Sequence, residues 1–422
     1  MLRTSKIIDL LYSRCMKVNA LYISYDGMTD QLGQSQVLPY LTRLSQNGIS
    51  FTLISFEKPG ALKKNRVQIE RIVAENSIEW IPLTYHKSPP VLSSVYDFFL
   101  MLRCARKMVK HKKIELIHCR SYLPAMVGRR LKLQYGVKFI FDMRGFWADE
   151  RLEGKIWNQK NPVYRFLYKY FKQEEKKLLS DSDYIVTLTE KAKAIIHSWK
   201  LNTKQITVIP CCADTNHFNY ENINTRELDD LRNKIKLEKD NLVIGYLGAI
   251  GTWYMLDEML DFFKVMLTKY PNAKFLFVTN EHPKTILQKS SERNINENSV
   301  IIASSPRLKV PYYISLMHVS LFFIRPTFSK QASSPTKMAE LLSMGVPIIC
   351  NAGIGDDDIV IEQTGAGLLC HQLNESQYFK TVEQLHLLWQ KNKADLRIVA
   401  LEHYSLAMGA EHYNAVYKSV IK

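Results

Sequence analysis

Residues Gln331–Cys350 read QASSPTKMAELLSMGVPIIC. Ser334 followed by Pro335 is a helix-start signal. A serine oxygen caps the first amides, and proline at the first helical position loses no hydrogen bond. Met338, Leu341 and Leu342 then recur at i, i+3 and i+4, which turns one side of the helix into a core. Gly345 ends the helix and Pro347 prevents its continuation. VPIIC follows as a buried strand. A short helix feeding a continuous apolar strand is the repeating unit of a parallel α/β sheet. Ser333, Thr336, Lys337 and Glu340 take no part in that packing pattern, which makes them candidates for holding a ligand.

The same alternation extends in both directions. Toward the N-terminus the apolar runs are VNALYIS, FTLISF, IEWIPL, ELIHC, KFIFD, DYIVTL and ITVIP; in the second half they are LVIGYLG, KFLFVT, SVIIAS, VSLFFI, VPIIC and GAGLLC. Helix-period segments separate them. The pattern predicts an α/β chain with two doubly wound, Rossmann-like domains. The polar stretch CCADTNHFNYENINTRELDD reads as the connection. The expected division is an extension at residues 1–15, a first domain at 16–215, a second at 216–403, and a final helix at 404–422 returning toward the first. Ligands of such sheets bind beyond the carboxyl ends of the strands, so two sheets facing each other are expected to enclose a cleft.

Bulk properties narrow the class. The chain has 422 residues, 46% of them apolar, enough for two cores. No run approaches the roughly 20 apolar residues of a membrane span. The start, MLRTSKIIDLLYSRCMK, is a weak signal-peptide candidate, because its apolar stretch is interrupted by Asp9 and lacks a small-residue cleavage site. Met16 directly precedes the first strand, so residues 1–15 read either as an appended helix or as a misassigned start. Seven cysteines without CxxC or histidine spacing point to a reducing cytoplasm rather than to disulfides or zinc; the adjacent Cys211 and Cys212 read as structural. The net charge of +16 is uneven: residues 1–220 hold 35 Lys+Arg against 19 Asp+Glu, and the remainder is neutral. A basic half beside a neutral half implies that the first half alone meets a polyanion or an anionic membrane. Within it, YDFFLMLRCARKMVKHKK mixes Phe98, Phe99, Leu102, Met108 and Val109 with Arg103, Arg106, Lys107, Lys110, Lys112 and Lys113. A basic amphipathic helix over residues 97–113 suits an anionic lipid surface, or a solvated helix with its other face in the core.

Loops after strands supply the remaining candidates. Gly27 and Gly33 bracket a polar loop that opens a helix near Gln34, a geometry able to set free amides against a phosphate. Asp142 and Arg144, in FDMRGFWADE, are expected to point from a strand end into the cleft, as a proton acceptor and a phosphate partner or as a local ion pair. His118 and Arg120 occupy the same place one strand earlier, with His118 either a satisfied structural residue or an acid–base group. Gly248 and Gly251, in GAIGTWYM, permit close backbone approach, and Trp253 and Tyr254 either stack on a base or pack in the core. Arg325 and Lys330 lie just before the opening stretch. Asp356 to Asp358 favour the start of the next helix through its dipole. No metal motif is apparent.

In the opening stretch, Lys337 sits in the first turn, and Glu340 lies about 7.5 Å along the axis from Pro335, the expected first helical position, at roughly 1.5 Å per residue. That spacing fits a phosphate at the helix mouth and a ribose diol one turn in, or else an ordinary Lys–Glu pair. The stretch SSPTKMAELLSMGVPII with the following GIGD resembles the C-terminal domain of GT-B glycosyltransferases of the family 4 type. LYISYDGMTDQLGQSQVLPYLTRLSQNG and FDMRGFWADE resemble the N-terminal domain of bacterial members that build surface polysaccharides. The resemblance implies a GT-B fold and a metal-independent, retaining hexosyltransferase. It further implies a nucleotide-sugar substrate held mainly by the second domain, with no cofactor, and a glycan or lipid-linked acceptor at the inner face of the plasma membrane. By the same match Glu340 contacts the ribose, Ser334, Pro335, Thr336 and Lys337 cradle the diphosphate, and Gly33 approaches it from the first domain. Two positions depart from the pattern: Ala332 stands where many members carry a glutamate, and GAIGTWYM lacks their Arg and Lys. Arg325, Lys330, Lys337 or Arg144 must then meet the diphosphate. The competing expectations are a nucleotide-sugar 2-epimerase on the same fold, for which no acid–base set is evident, and a basic nucleic-acid-binding protein, for which no binding motif is evident.

Overall fold

The computed structural model of the chain describes residues 18–421; the extension expected at residues 1–15 lies outside them. The chain divides into two compact units. One runs to Pro210 and takes up again at Leu406, and the other spans Cys211–Ser405.

The first unit is built on seven parallel strands: β1 (Val18–Ser24), β2 (Ile49–Glu57), β3 (Glu79–Thr84), β4 (Leu116–Arg120), β5 (Lys138–Asp142), β6 (Tyr184–Thr187) and β7 (Gln205–Val208). Their order is β3-β2-β1-β4-β5-β6-β7. It reverses between β1 and β4, which places a topological switch point there. β4 and β6 are buried along their whole length, as central strands covered on both faces are. After β1 the chain forms α1 (Gln31–Gln36) and, beyond Val37, α2 (Leu38–Gln46). A Cβ at Gly33 would stand 2.2 Å from the carbonyl oxygen of Gly27, so only glycine lets α1 close against the loop. Longer helices follow: α3 (Leu92–His111), α4 (Tyr122–Tyr135) and α5 (Pro162–Asp181). The C-terminal helix, Leu406–Ile421, belongs to this unit; Tyr413 packs edge-on to Tyr40 of α2 and Tyr417 to Phe51 of β2.

The second unit has six parallel strands: β8 (Val243–Leu247), β9 (Lys274–Val278), β10 (Val300–Ala303), β11 (Val319–Phe322), β12 (Ile348–Asn351) and β13 (Gly367–Cys370). The order β10-β9-β8-β11-β12-β13 again reverses once, between β8 and β11. α6 (Leu256–Lys269) follows β8, α7 (Thr336–Ser343) lies between β11 and β12, and α8 (Asp357–Thr364) follows β12. Cys211 and Cys212 are buried here. Arg397, on α9 (Lys393–Tyr404), donates to the carbonyls of Ser343, Phe218 and Thr215, which ties the end of α7 to the segment that opens the unit. Among the described residues, no helix is long and apolar enough to cross a membrane.

Candidate active site

The start of α7 differs by one residue from the sequence expectation. Pro335, not Ser334, is the N-cap, and the helix begins at Thr336. The reason lies in the partner of Ser334: its Oγ accepts from the backbone N–H of Cys211 at 3.1 Å, so it does not turn back on the helix. No side chain caps α7, which leaves its mouth open to an outside acceptor. From Thr336 to Glu340 the axial distance is about 6 Å.

Both charged residues of α7 face inward. Lys337 is buried and its ammonium lies 3.6 Å from the ring centre of Tyr254 and 4.2 Å from that of Tyr246. Nζ has no hydrogen-bond partner. Burial lowers the Lys337 pKa well below its ordinary value, against the opposing pull of Glu340. Glu340 is buried too, and its Oε1 accepts from Arg307 Nη1 at 3.0 Å. Burial raises its pKa, and Arg307 and Lys337 work the other way. The expected alternative, an exposed Lys337–Glu340 pair, therefore does not describe this helix: both groups are buried and the glutamate pairs with Arg307. Sequence reading missed Arg307, although it follows β10 as the strand-end rule directs; it also rests over the ring of Phe218 at 5.2 Å.

The loop after β8 forms the aromatic wall. Gly248 has φ +114°, and a Cβ on it would sit 3.4 Å from Lys337 Nζ. Gly251 is different: it is exposed, with open space where a Cβ would be, so its expected role in close approach has no steric basis. Trp253 receives the Lys330 ammonium 3.9 Å from its ring centre, and its carbonyl accepts from the Arg325 N–H at 2.9 Å. Lys330 is buried while Arg325 is exposed. Trp253 and Tyr254 thus hold the two lysines. Ser333, Ser334, Pro335 and Thr336 are half-buried around the helix mouth, and Ala332 is buried behind them. Gly355 N–H donates to the Lys330 carbonyl at 2.9 Å, which anchors the glycine turn to the same loop.

The first unit carries a separate charged cluster at its switch point. Arg120 on β4 is in register with both Ser24 on β1 and Asp142 on β5. Asp142 is fully buried and does not project from the strand end as expected. Its Oδ2 accepts from Tyr413 Oη at 3.1 Å and lies 3.6 Å from His118 Nε2 and 3.8 Å from Arg120 Nη1; Oδ1 lies 3.6 Å from Arg144 Nη1. Burial alone would raise this carboxyl, but Arg144, His118 and Arg120 together hold it at about 2. His118 bonds through Nδ1 with Tyr417 Oη at 2.8 Å, and burial lowers its pKa. Arg144 stands at φ +54°, ahead of Gly145 at the strand end. Arg120 Nε reaches Asp26 at 3.1 Å. Sequence reasoning found Asp142, Arg144 and His118, but not the tyrosines of the C-terminal helix that complete the cluster. Among the described residues, no group of three or more His, Cys, Asp and Glu side chains is arranged to hold a metal ion.

Two doubly wound parallel sheets, with an uncapped helix start and buried counter-charged side chains at one switch point, define the architecture of a GT-B transferase. Residues 34–217 match the family model described as Glycosyltransferase Family 4, and residues 228–397 match that of Glycosyl transferases group 1. The chain belongs to the GT-B glycosyltransferases of the family 4 type. Over 336 residues it is 23% identical to an uncharacterized glycosyltransferase of Methanocaldococcus jannaschii, covering 76% of this chain and 72% of that one. Its fold is similar to that of sucrose-phosphate synthase from Thermosynechococcus elongatus, with TM-score 0.70 at 13% identity over 95% of this chain and 98% of that one. It is similar also to Anabaena HepE, solved in complex with UDP and glucose, with TM-score 0.69 at 11% identity over 96% of this chain and all of that one.

Proposed function

We propose that the chain is a retaining hexosyltransferase that takes a sugar from a nucleotide-sugar donor and passes it to a glycan or lipid-linked acceptor in bacterial surface-polysaccharide synthesis. The observation that carries the donor reading is Lys337: a buried ammonium without a hydrogen-bond partner at Nζ, one turn from the buried carboxylate of Glu340. An unpaired buried cation is costly, and a diphosphate supplies the missing partner. The amides at the open start of α7 add donors, Lys330 and Arg325 add charge, and Glu340 accepts from the ribose hydroxyls. The solved complexes of HepE with UDP-glucose support a nucleotide sugar as the substrate class.

The chemistry is substitution on one face of the anomeric carbon. The bond from that carbon to the diphosphate oxygen breaks while the acceptor oxygen bonds on the same face. The departing phosphate oxygen takes the acceptor's proton, so no separate base is needed. Lys337, Lys330 and the α7 amides stabilise the charge that develops on the leaving group. These groups supply the positive charge of the step, and transfer is expected to persist in EDTA. The basic first unit takes the acceptor and holds the enzyme peripherally at the inner membrane face through residues 97–113.

Thermal denaturation with UDP-glucose, UDP-galactose, UDP-N-acetylglucosamine and GDP-mannose tests the donor reading. At least one raises the melting temperature of the wild type and leaves Lys337→Met unmoved. No rise with any of them, or the same rise in Lys337→Met, overturns it.

A further inference from the structure

A second polar constellation lies at the C-terminal ends of β1, β2 and β3, outside the chemistry above. Asp97, on α3, is fully buried. Its Oδ2 accepts from the Tyr25 hydroxyl at 2.8 Å and from the His86 backbone N–H at 3.1 Å. Its Oδ1 lies 2.5 Å from His86 Nδ1. Tyr25 directly follows β1 and His86 is the second residue after β3, so a helix carboxylate gathers two strand ends. A carboxylate bonded to Nδ1 fixes the ring orientation and keeps the Nδ1 proton in place. That leaves Nε2 as the ring nitrogen that can bond to a ligand. The carboxylate is sealed, whereas the His86 side chain is 39% exposed.

One aromatic ring packs on the imidazole, and others pack on Tyr25 beside it. Tyr96 stands edge-on to it at 5.0 Å, and Tyr25 packs against Phe56 at 4.9 Å and Tyr85 at 5.5 Å. Tyrosine offers an apolar ring with a polar tip, which suits a sugar with its apolar C–H face and hydroxyl edge. We infer that His86 contacts the acceptor, its Nε2 sharing a hydrogen bond with a sugar hydroxyl beside Tyr96 and Tyr85. The carboxyl ends of parallel strands are where such sheets bind ligands. Asp97 and Tyr25 are positioning residues in this assignment. The inference rests on the reading that the first unit takes the acceptor.

The rival is a lock, in which the Asp97 bond merely fastens the loop after β3 to α3. The two roles use different ring nitrogens, and substitutions separate them. His86→Asn keeps an amide N–H where Nδ1 stands and leaves nothing at Nε2; His86→Gln reaches the Nε2 position. The full chain, with ring-labelled histidine, is titrated by NMR with methyl α-glucoside, methyl β-galactoside and methyl N-acetyl-β-glucosaminide. The His86 ring signal is expected to move saturably with at least one. Ligand-detected NMR on the variants then shows the midpoint for that glycoside raised by at least about tenfold in His86→Asn, less in His86→Gln, with melting as in the wild type. No movement with any of the three glycosides, or a wild-type midpoint in His86→Asn, overturns the assignment. UDP and GDP are titrated into the same samples. If neither nucleotide binds, the donor reading fails; if one binds and no glycoside does, only the role of His86 falls.

Discussion

At the scale of single residues, the buried charges decide what to measure. Glu340 carries Arg307 and stands in the second turn of the helix proposed to hold the donor. Glu340→Ala removes the acceptor for the ribose and leaves Arg307 without its carboxylate. Nucleotide affinity is expected to fall by about 1–3 kcal/mol, the scale for hydrogen bonds to charged groups, as read by calorimetry. Lys337 gives a pH prediction. Its folded pKa lies below the ordinary 10.5 of a lysine, so between those two values the unfolded chain binds more protons than the folded one. Stability therefore rises with pH across that window. A bound diphosphate favours the charged amine, so binding takes up a proton there and affinity falls as pH rises. Calorimetry in buffers of different ionisation enthalpy reads that uptake directly, and Lys337→Met abolishes it. Asp142 behaves oppositely. With its carboxyl held at about 2 against an ordinary 3.8, it contributes stability above the higher value that is lost as pH falls through the lower. Asp142→Asn leaves Arg144, Arg120 and His118 without their shared anion, so it should both destabilise the first unit and slow turnover. Arg144→Ala should slow turnover by at least about tenfold, roughly 1.4 kcal/mol of barrier, while nucleotide affinity stays near wild type.

Elements explain why these side chains stand where they do. The turn from β8 into α6 brings Gly248 against Lys337 with φ +114°, a conformation that costs an ordinary residue on the order of 1–3 kcal/mol. Gly248→Val strains the turn and crowds the ammonium, so it should lower both the melting temperature and nucleotide affinity. Gly251→Ala meets open space and should change neither. Comparing the two variants by thermal melts with and without UDP checks the distinction, which composition cannot make because both positions read as glycine. Much else was legible. The apolar runs locate all thirteen strands of the two sheets, because central strands covered on both faces leave little room for polar residues and the half-buried edge strands keep short apolar runs of their own. Periodicity and Gly345 fix the body and end of α7. What escaped depends on contacts distant in sequence. Cys211 takes the Ser334 hydroxyl and shifts the helix start by one residue; Arg307 turns a pair along one helix into a pair across two elements. Tyr413 and Tyr417 enclose Asp142 and His118 from a helix nearly 300 residues away. No local pattern encodes such partners. The strand-end rule, followed through SSPRLKV as well, would have found Arg307.

On the scale of the whole molecule, the charge imbalance acquires a surface. All of the net positive charge lies within residues 1–220, and α3 displays part of it in an ordered way. Phe98, Leu102 and Met108 face the core, so they are not available to a lipid surface, whatever the sequence pattern suggests. The exposed stripe runs instead through Leu92, Val95, Tyr96 and Phe99, then Arg103, Arg106, Lys107 and Lys110. Steps of three and four residues keep these side chains on one side of the helix, the first half apolar and the second basic. Such a stripe can insert its aromatic end at the headgroup boundary while the cations meet anionic lipid. Each cation near that surface contributes on the order of 1 kcal/mol, screened by salt. The protein is therefore expected to float with vesicles containing phosphatidylserine and to be released by raised salt, and not to float with phosphatidylcholine alone. Changing Arg103, Arg106, Lys107 and Lys110 together to glutamine should remove most of the flotation. Nucleotide binding by the second unit should not change, because none of the four belongs to it. Phe99→Ala and Leu92→Ala should weaken flotation at high salt more than at low salt, since their contribution does not screen. Equal recovery with both vesicle types, or none with either, would mean that the basic face meets a different polyanion.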